Sequence, residues 1–220
     1  MNITEKIAIT QENNLELMKR YPDKYFDVAI VDPPYGISEK SYRKTPGKTA
    51  AAKKKNYNMN LWDQEKPCAE YWAELVRVSK NQIVWGGNYF TDFLPPSRNW
   101  AVWDKCTKDS LFADVELAWT SWNNSAKLFT FRWNGMLQQD MKNKEVRIHP
   151  TQKPVGLYKW LLENYAKPGD KILDTHLGSG SIAIACHDYG FELTACEVDE
   201  KYFNDAIKRV TDHVGQQKLF

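Results

Sequence analysis

The chain lacks the features that mark secreted, membrane-spanning or metal-stapled proteins. It has no run of about 18 apolar residues, so no segment is read as crossing a bilayer. The polar start MNITEKIAIT, with Glu5 inside it, does not resemble a secretory signal, and a cytoplasmic location is expected. Cysteine is scarce: Cys68, Cys106, Cys186 and Cys196 stand apart with no CxxC pair, which argues against a zinc knuckle and against a disulfide framework. No metal site is expected. Net charge is only +2, too little to name a partner. The hydrophobic fraction of 42% is ordinary for a globular protein, and 220 residues suffice for one sizeable core, so a single domain over residues 1–220 is expected.

What is present is an alternation of strand-like and helix-like segments, the pattern of a parallel α/β sheet with helices on its faces. KIAIT (residues 6–10) and FDVAIV (26–31) read as strands, with a short helix through Leu15, Leu17 and Met18 between them. Tyr71, Trp72, Leu75, Val76 and Val78 mark an amphipathic helix that runs into the strand-like NQIVWGG. WAVWDK and DVELAWTSW follow with no helix between them, which predicts an antiparallel pair at the edge of the sheet. A helix from Pro154 to Pro168, the strand KILD, a helix through Ile182 to Asp188, the strand FELTACEVD and a last helix from Glu200 complete the chain. The tryptophans between residues 100 and 133 read mainly as core.

KILDTHLGSGSIAIA is a strand, a glycine turn and a helix. Gly178 and Gly180 allow close approach of a ligand to the backbone, at a helix N-terminus with partial positive charge. This turn carries neither GxGxxG nor the lysine of a phosphate loop, so neither a dehydrogenase nor an NTPase is favoured. About twenty residues on, Glu197 stands at a strand end, where an acid can accept both hydroxyls of a ribose. A ligand containing a nucleoside is therefore expected.

VAIVDPPYGI (28–37) poses a sharper question, because an apolar strand here runs straight into an acid, two prolines and a tyrosine. With DPPY (Asp32, Pro33, Pro34, Tyr35), HPTQKP (149–154) and DTHLGSG (174–180), the chain resembles the S-adenosylmethionine-dependent amino-methyltransferases of DNA, in the β-type motif order. That resemblance implies a circularly permuted, Rossmann-like methyltransferase fold: a mostly parallel seven-stranded sheet with one antiparallel strand. It also implies methyl transfer from S-adenosylmethionine to the exocyclic amine of adenine (N6) in DNA, in line, after base flipping.

On the same resemblance, Asp32, Pro33, Pro34 and Tyr35 are the catalytic residues. Asp32 and the Pro33 carbonyl would accept from the amine, and Tyr35 would stack on the extruded base. The prolines remove backbone donors and leave a segment dominated by acceptors. Asp32, Thr151, Lys153, Asp174, His176, Gly178, Ser179, Gly180, Glu197 and Val198 are the expected cofactor contacts, with Lys153 pairing the cofactor carboxylate. His149 is expected to be structural. His176 stands where the family often has an aromatic residue, and Ser181 where threonine is usual.

The basic stretch within residues 38–60 follows the catalytic motif directly, so Lys40, Arg43, Lys44, Lys53, Lys54 and Lys55 are expected to reach phosphates flanking an extruded base. Arg132 is a further candidate, within small target-recognition elements between 104 and 148. DNA is the expected partner, and a homodimer is one way to add binding surface. Two alternatives stay open: N4-cytosine methylation, and a non-catalytic nucleic-acid-binding subunit with a methyltransferase fold. Pro67-Cys68 resembles the Pro-Cys nucleophile of 5-methylcytosine enzymes, but it opens a helix instead of following a strand, and DPPY would then have no assignment.

Overall fold

The computed structural model describes residues 1–37, 66–107, 113–134 and 137–216. The basic stretch 38–60, with Lys40, Arg43, Lys44, Lys53, Lys54 and Lys55, lies outside the described residues.

Ten strands and five α-helices are described: β1 (Ile7–Gln11), α1 (Asn14–Lys19), β2 (Phe26–Val31), α2 (Ala69–Val78), β3 (Ser79–Trp85), β4 (Trp100–Asp104), β5 (Val115–Thr120), β6 (Lys127–Thr130), β7 (Trp133–Asn134), β8 (Leu137–Gln138), α3 (Val155–Tyr165), β9 (Lys171–Asp174), α4 (Ser181–Tyr189), β10 (Glu192–Glu197) and α5 (Glu200–Val214). β7 and β8 form a small hairpin, and the other eight strands make one sheet in the order β1-β10-β9-β2-β3-β5-β4-β6. Only β5 runs against its neighbours β3 and β4; β4 and β6 are again parallel. The expected single reversed strand is therefore present.

The expected count of seven strands is corrected to eight. The added strand is β6, four residues (KLFT) with alternating half-buried and exposed positions. So short a segment carries little strand signal, and its pairing with β4 is supplied by the tertiary structure.

Both faces of the sheet are covered, which explains why the central strands are nearly continuous apolar runs. Val28 and Ile30 of β2 point to the layer that contains Leu157 and Leu161 of α3 and Ile182 and Ala185 of α4. Ala29 and Val31 point the other way, toward Leu17 and Met18 of α1 and Tyr71, Trp72 and Leu75 of α2. The period of two along one strand thus divides the core into two layers. Trp103, Trp119 and Trp133 are buried, in line with the expectation that these rings pack in the core.

Connections from β9 and from β2 leave in opposite directions across the sheet, β9 through α4 to β10 and β2 through α2 to β3. A crevice opens outside the carboxyl ends of strands where the order reverses in this way. The β2–β9 ladder ends at Ala29↔Leu173, short of both Asp32 and Asp174. DPPY and the glycine turn follow these two neighbouring strands, so residues far apart in the chain meet at one crevice.

Candidate active site

A cavity of about 240 Å³ occupies that crevice. Asp32 and Pro34 line it from the end of β2; His176, Leu177, Gly178 and Ser179 from the turn after β9; Glu197, Val198 and Asp199 from the end of β10; and His149, Thr151 and Lys153 from the strap before α3. Of the expected site residues, Pro33, Tyr35, Asp174, Gly180 and Arg132 do not line it. Glu12, Asn13 and Asn14, after β1, also line it, as do Tyr158 and Tyr202, and none of these had been singled out. A larger open groove of about 590 Å³ lies elsewhere, against Trp119 and Trp122, and contains no motif residue.

The glycine turn is held from three sides. Gly178 and Gly180 adopt positive φ of 55° and 73°, and a Cβ on Gly180 would sit 2.9 Å from Val210 Cγ2 of α5. Leu177 N–H donates to the Cys196 carbonyl at 3.0 Å, and Gly178 N–H donates to Glu197 Oε2 at 2.8 Å. Arg209 of α5 donates to the Ser179 carbonyl at 2.8 Å and to Ser181 Oγ at 2.9 Å, while its second nitrogen pairs with Glu145 at 2.7 Å. Ser181, which lacks the γ-methyl of threonine, is tied to Arg209 through its hydroxyl. Burial raises the Glu197 carboxyl above its usual range, although the Asp199 and Gly178 amides oppose that. Glu197 accepts the Gly178 amide at Oε2 and the Asp199 amide at Oε1, and its carboxylate has further lone pairs to offer a ligand. Val198, 64% exposed, adds an apolar surface beside it. An acceptor carboxylate, close backbone and an apolar wall fit a nucleoside-bearing ligand.

His176 is enclosed at the base of the turn. Asn14 Nδ2 donates to its Nε2 at 3.0 Å, so the ring proton sits on Nδ1 and is given to Thr175 Oγ1 at 2.9 Å, which in turn meets the Tyr71 hydroxyl at 2.8 Å. Its role in the structure is thus to join the loop after β1 to α2. Burial pulls the His176 imidazole down to about 3 and that of His149 to about 4, and pushes the Asp174 carboxyl up to about 8. His149, which lines the cavity, packs its ring against Tyr202 with centroids 4.3 Å apart.

These shifts make stability depend on pH. Between pH 6.5 and 4 the unfolded chain protonates both histidines while the folded chain does not, so the histidine contributions are lost as pH falls. Asp174 acts oppositely, because in that window only the folded state holds its proton. Two histidine contributions oppose the one from Asp174, so the three groups together lose stability on acidification through this window. His176→Gln removes one of the two histidine contributions, so the urea midpoint of this variant should vary less between pH 6.5 and 4 than that of the parent. An equal slope in both proteins would refute the assignment.

At the DPPY end, both oxygens of Asp32 are engaged. Tyr35 donates its hydroxyl to Oδ1 at 2.8 Å, and Lys153 donates to Oδ2 at 2.5 Å. Lys153, 3% exposed, also lies 3.4 Å from Glu116 Oε2. Lys153 thus lines the cavity with its ammonium between these two carboxylates. Burial alone would lower the Lys153 ammonium, and the two carboxylates outweigh that and raise it. Tyr35 stacks on Tyr89, with centroids 4.9 Å apart and planes 18° apart, so one ring face is already covered. Gly86 makes this possible, since a Cβ there would fall 2.2 Å from the Tyr35 ring.

Arg132, exposed on the chain between β6 and β7, has its backbone N–H on Gln139 Oε1. Cys68 is exposed at the N-cap of α2. No group of residues suited to a metal ion is found among the described residues, and no described helix is long and apolar enough to cross a membrane.

The chain is 24% identical over 218 residues to the protein YubD of Escherichia coli (strain K12), covering 95% of this chain and 88% of that one. It is 19% identical to the type II methyltransferase M2.DpnII of Streptococcus pneumoniae, covering 93% and 90%. Among solved structures, the M1.HpyAVI–SAM complex aligns with a TM-score of 0.59 at 21% identity, over 92% of this chain and 99% of that chain. The PvuII DNA methyltransferase (cytosine-N4-specific) aligns at 0.61 with 12% identity, over 99% and 89%. These two likenesses show the α/β methyltransferase fold. Residues 95–208, just over half of the chain, match the N6/N4 methyltransferase family described as DNA methylase, and the chain belongs to that family.

Proposed function

We propose that the chain methylates the exocyclic N6 amine of adenine in DNA, using S-adenosylmethionine. The observation that carries this reading is that one cavity is lined both by Asp32 and Pro34 and by the glycine turn with Glu197. When bound, S-adenosylmethionine supplies an electrophilic methyl group on a sulfonium, suited to direct transfer with no covalent enzyme intermediate. Gly178, Ser179, Glu197 and Val198 hold its nucleoside part, with His176 and Asp174 supporting the turn from below. Thr151 and Lys153, which line the same cavity, would hold its methionine part.

The adenine amine is a poor nucleophile because its lone pair is delocalised into the ring. Asp32 and the Pro33 carbonyl accept from its two N–H groups and favour the pyramidal form that attacks. Its surplus proton leaves after transfer. A base inside a duplex cannot reach this site, so it is extruded first, and Tyr35 beside Asp32 would stack on it. The basic stretch 38–60 and Arg132 would contact phosphates, and elements within 104–148 would read the target, all in one domain of residues 1–220. The fold is read as circularly permuted: the catalytic tetrapeptide precedes the glycine turn, and β1 pairs beside β10, the last strand in sequence.

The test is expression of this chain in a host without adenine or N4-cytosine methylation, followed by digestion of its DNA and mass spectrometry of the nucleosides. N6-methyladenine is the expected product. N4-methylcytosine in its place would reassign the base, and cofactor binding by the purified protein with no methyl transfer would point to a non-catalytic subunit.

A further inference from the structure

Glu116 and Lys105 lie outside every sequence motif, yet they continue the chain of charges that begins at Asp32. Lys153 Nζ is 2.5 Å from Asp32 Oδ2 and 3.4 Å from Glu116 Oε2, and Lys105 Nζ is 2.8 Å from Glu116 Oε1. The four members come from four places: the end of β2, the strap before α3, the β5 strand, and the residue after β4. Both lysines also sit over aromatic rings, Lys153 5.3 Å from the centroid of Trp85 and Lys105 5.4 Å from that of Trp103. Among the described residues, Tyr35, Tyr71, His149, Tyr158 and Asp174 also interact electrostatically with members of this chain. Glu116 is 28% exposed at its side chain and Lys153 only 3%, so the outer carboxylate lies between the buried lysine and the surface.

We infer that Glu116 and Lys105 are positioning residues for the proposed reaction, forming with Lys153 an alternating clamp that fixes Asp32 and limits how much positive charge it feels. Without Glu116, the uncompensated charge of Lys105 would add to that of Lys153 on Asp32 and compete with a substrate amine for its oxygens. Glu116 takes a share of Lys153, and Lys105 balances Glu116 in turn. Alternation of sign along the chain is what a buried ion group needs to stay assembled. The inference rests on the proposed role of Asp32.

Charge, not bulk, is the variable to test, so the isosteric Glu116→Gln, Lys105→Met and the double variant are compared. With unmethylated genomic DNA and saturating S-adenosylmethionine, Glu116→Gln should slow single-turnover transfer about tenfold, with cofactor affinity unchanged. Lys105→Met should slow it less. The double variant, which leaves a balanced Lys153–Asp32 pair, should be faster than Glu116→Gln. A second readout does not need activity: the Lys153 ¹³Cε resonance should move in each single variant and return toward its parent position in the double. Transfer by Glu116→Gln at the parent rate, a double variant no faster than that single, or a Lys153 resonance indifferent to both changes would overturn the clamp. A responsive resonance in a protein that transfers no methyl group would refute the proposed reaction and leave the clamp standing.

Discussion

Replacing Asp32 by asparagine is expected to lower methyl transfer about 10³-fold, within the range typical for losing a positioned acid–base group. The substitution keeps the shape of the side chain but replaces one acceptor oxygen with a donor nitrogen. Of the two partners, Tyr35 and Lys153, both donate, so the amide nitrogen must face one donor or turn toward the substrate amine. Either way an acceptor is lost where the reaction needs one. Binding of S-adenosylmethionine should weaken by less than about tenfold, since one lost hydrogen bond costs about 1 kcal/mol. Rapid-quench measurement of transfer, beside calorimetric measurement of cofactor affinity, separates the two effects. A variant that retains more than a tenth of the parent rate would remove Asp32 from the chemistry.

Lys153→Met is expected to destabilise the protein by about 3–5 kcal/mol, because it strips the shared cation from two carboxylates. Asp32 and Glu116 would then face each other across an apolar side chain, with Lys105 left to neutralise Glu116 alone. For a chain of this size such a loss lowers the melting temperature by about 10 °C or more. Calorimetric or spectroscopic melting checks this directly. A melting temperature within a degree or two of the parent would mean that the pairing contributes little, and that the lysine is tolerated in its buried position without being needed.

Much of the site was readable from the chain because each motif follows an apolar strand, and strand ends converge at one edge of a parallel sheet. Asp32, Gly178 and Glu197 could be placed this way, since runs such as AIVDPP and KILD declare buried strands by composition alone. Glu12, Asn13 and Asn14 obey the same rule after β1, but they carry no motif and were missed. The signal available was the strand itself, whose carboxyl end faces the same crevice. Lys153 lines the cavity, as its motif suggested, but its pairing with Asp32 and Glu116 was not legible in the sequence. Its sequence neighbours are prolines and a glutamine, and nothing there reveals that β5 brings Glu116 against it. The strand β6 escaped notice for a related reason: four half-exposed residues become a strand only when β4 offers an edge.

The sequence by itself determined the alternation of elements, the left-handed glycine turn and the acceptor-rich tetrapeptide, because these are local consequences of side-chain shape, backbone restriction and hydrophobic period. Only the tertiary structure decided which charges meet. Coulombic pairing depends on distance through space, and Lys105, Glu116, Lys153 and Asp32 are brought within reach by the order of strands and the strap before α3, which no local pattern encodes.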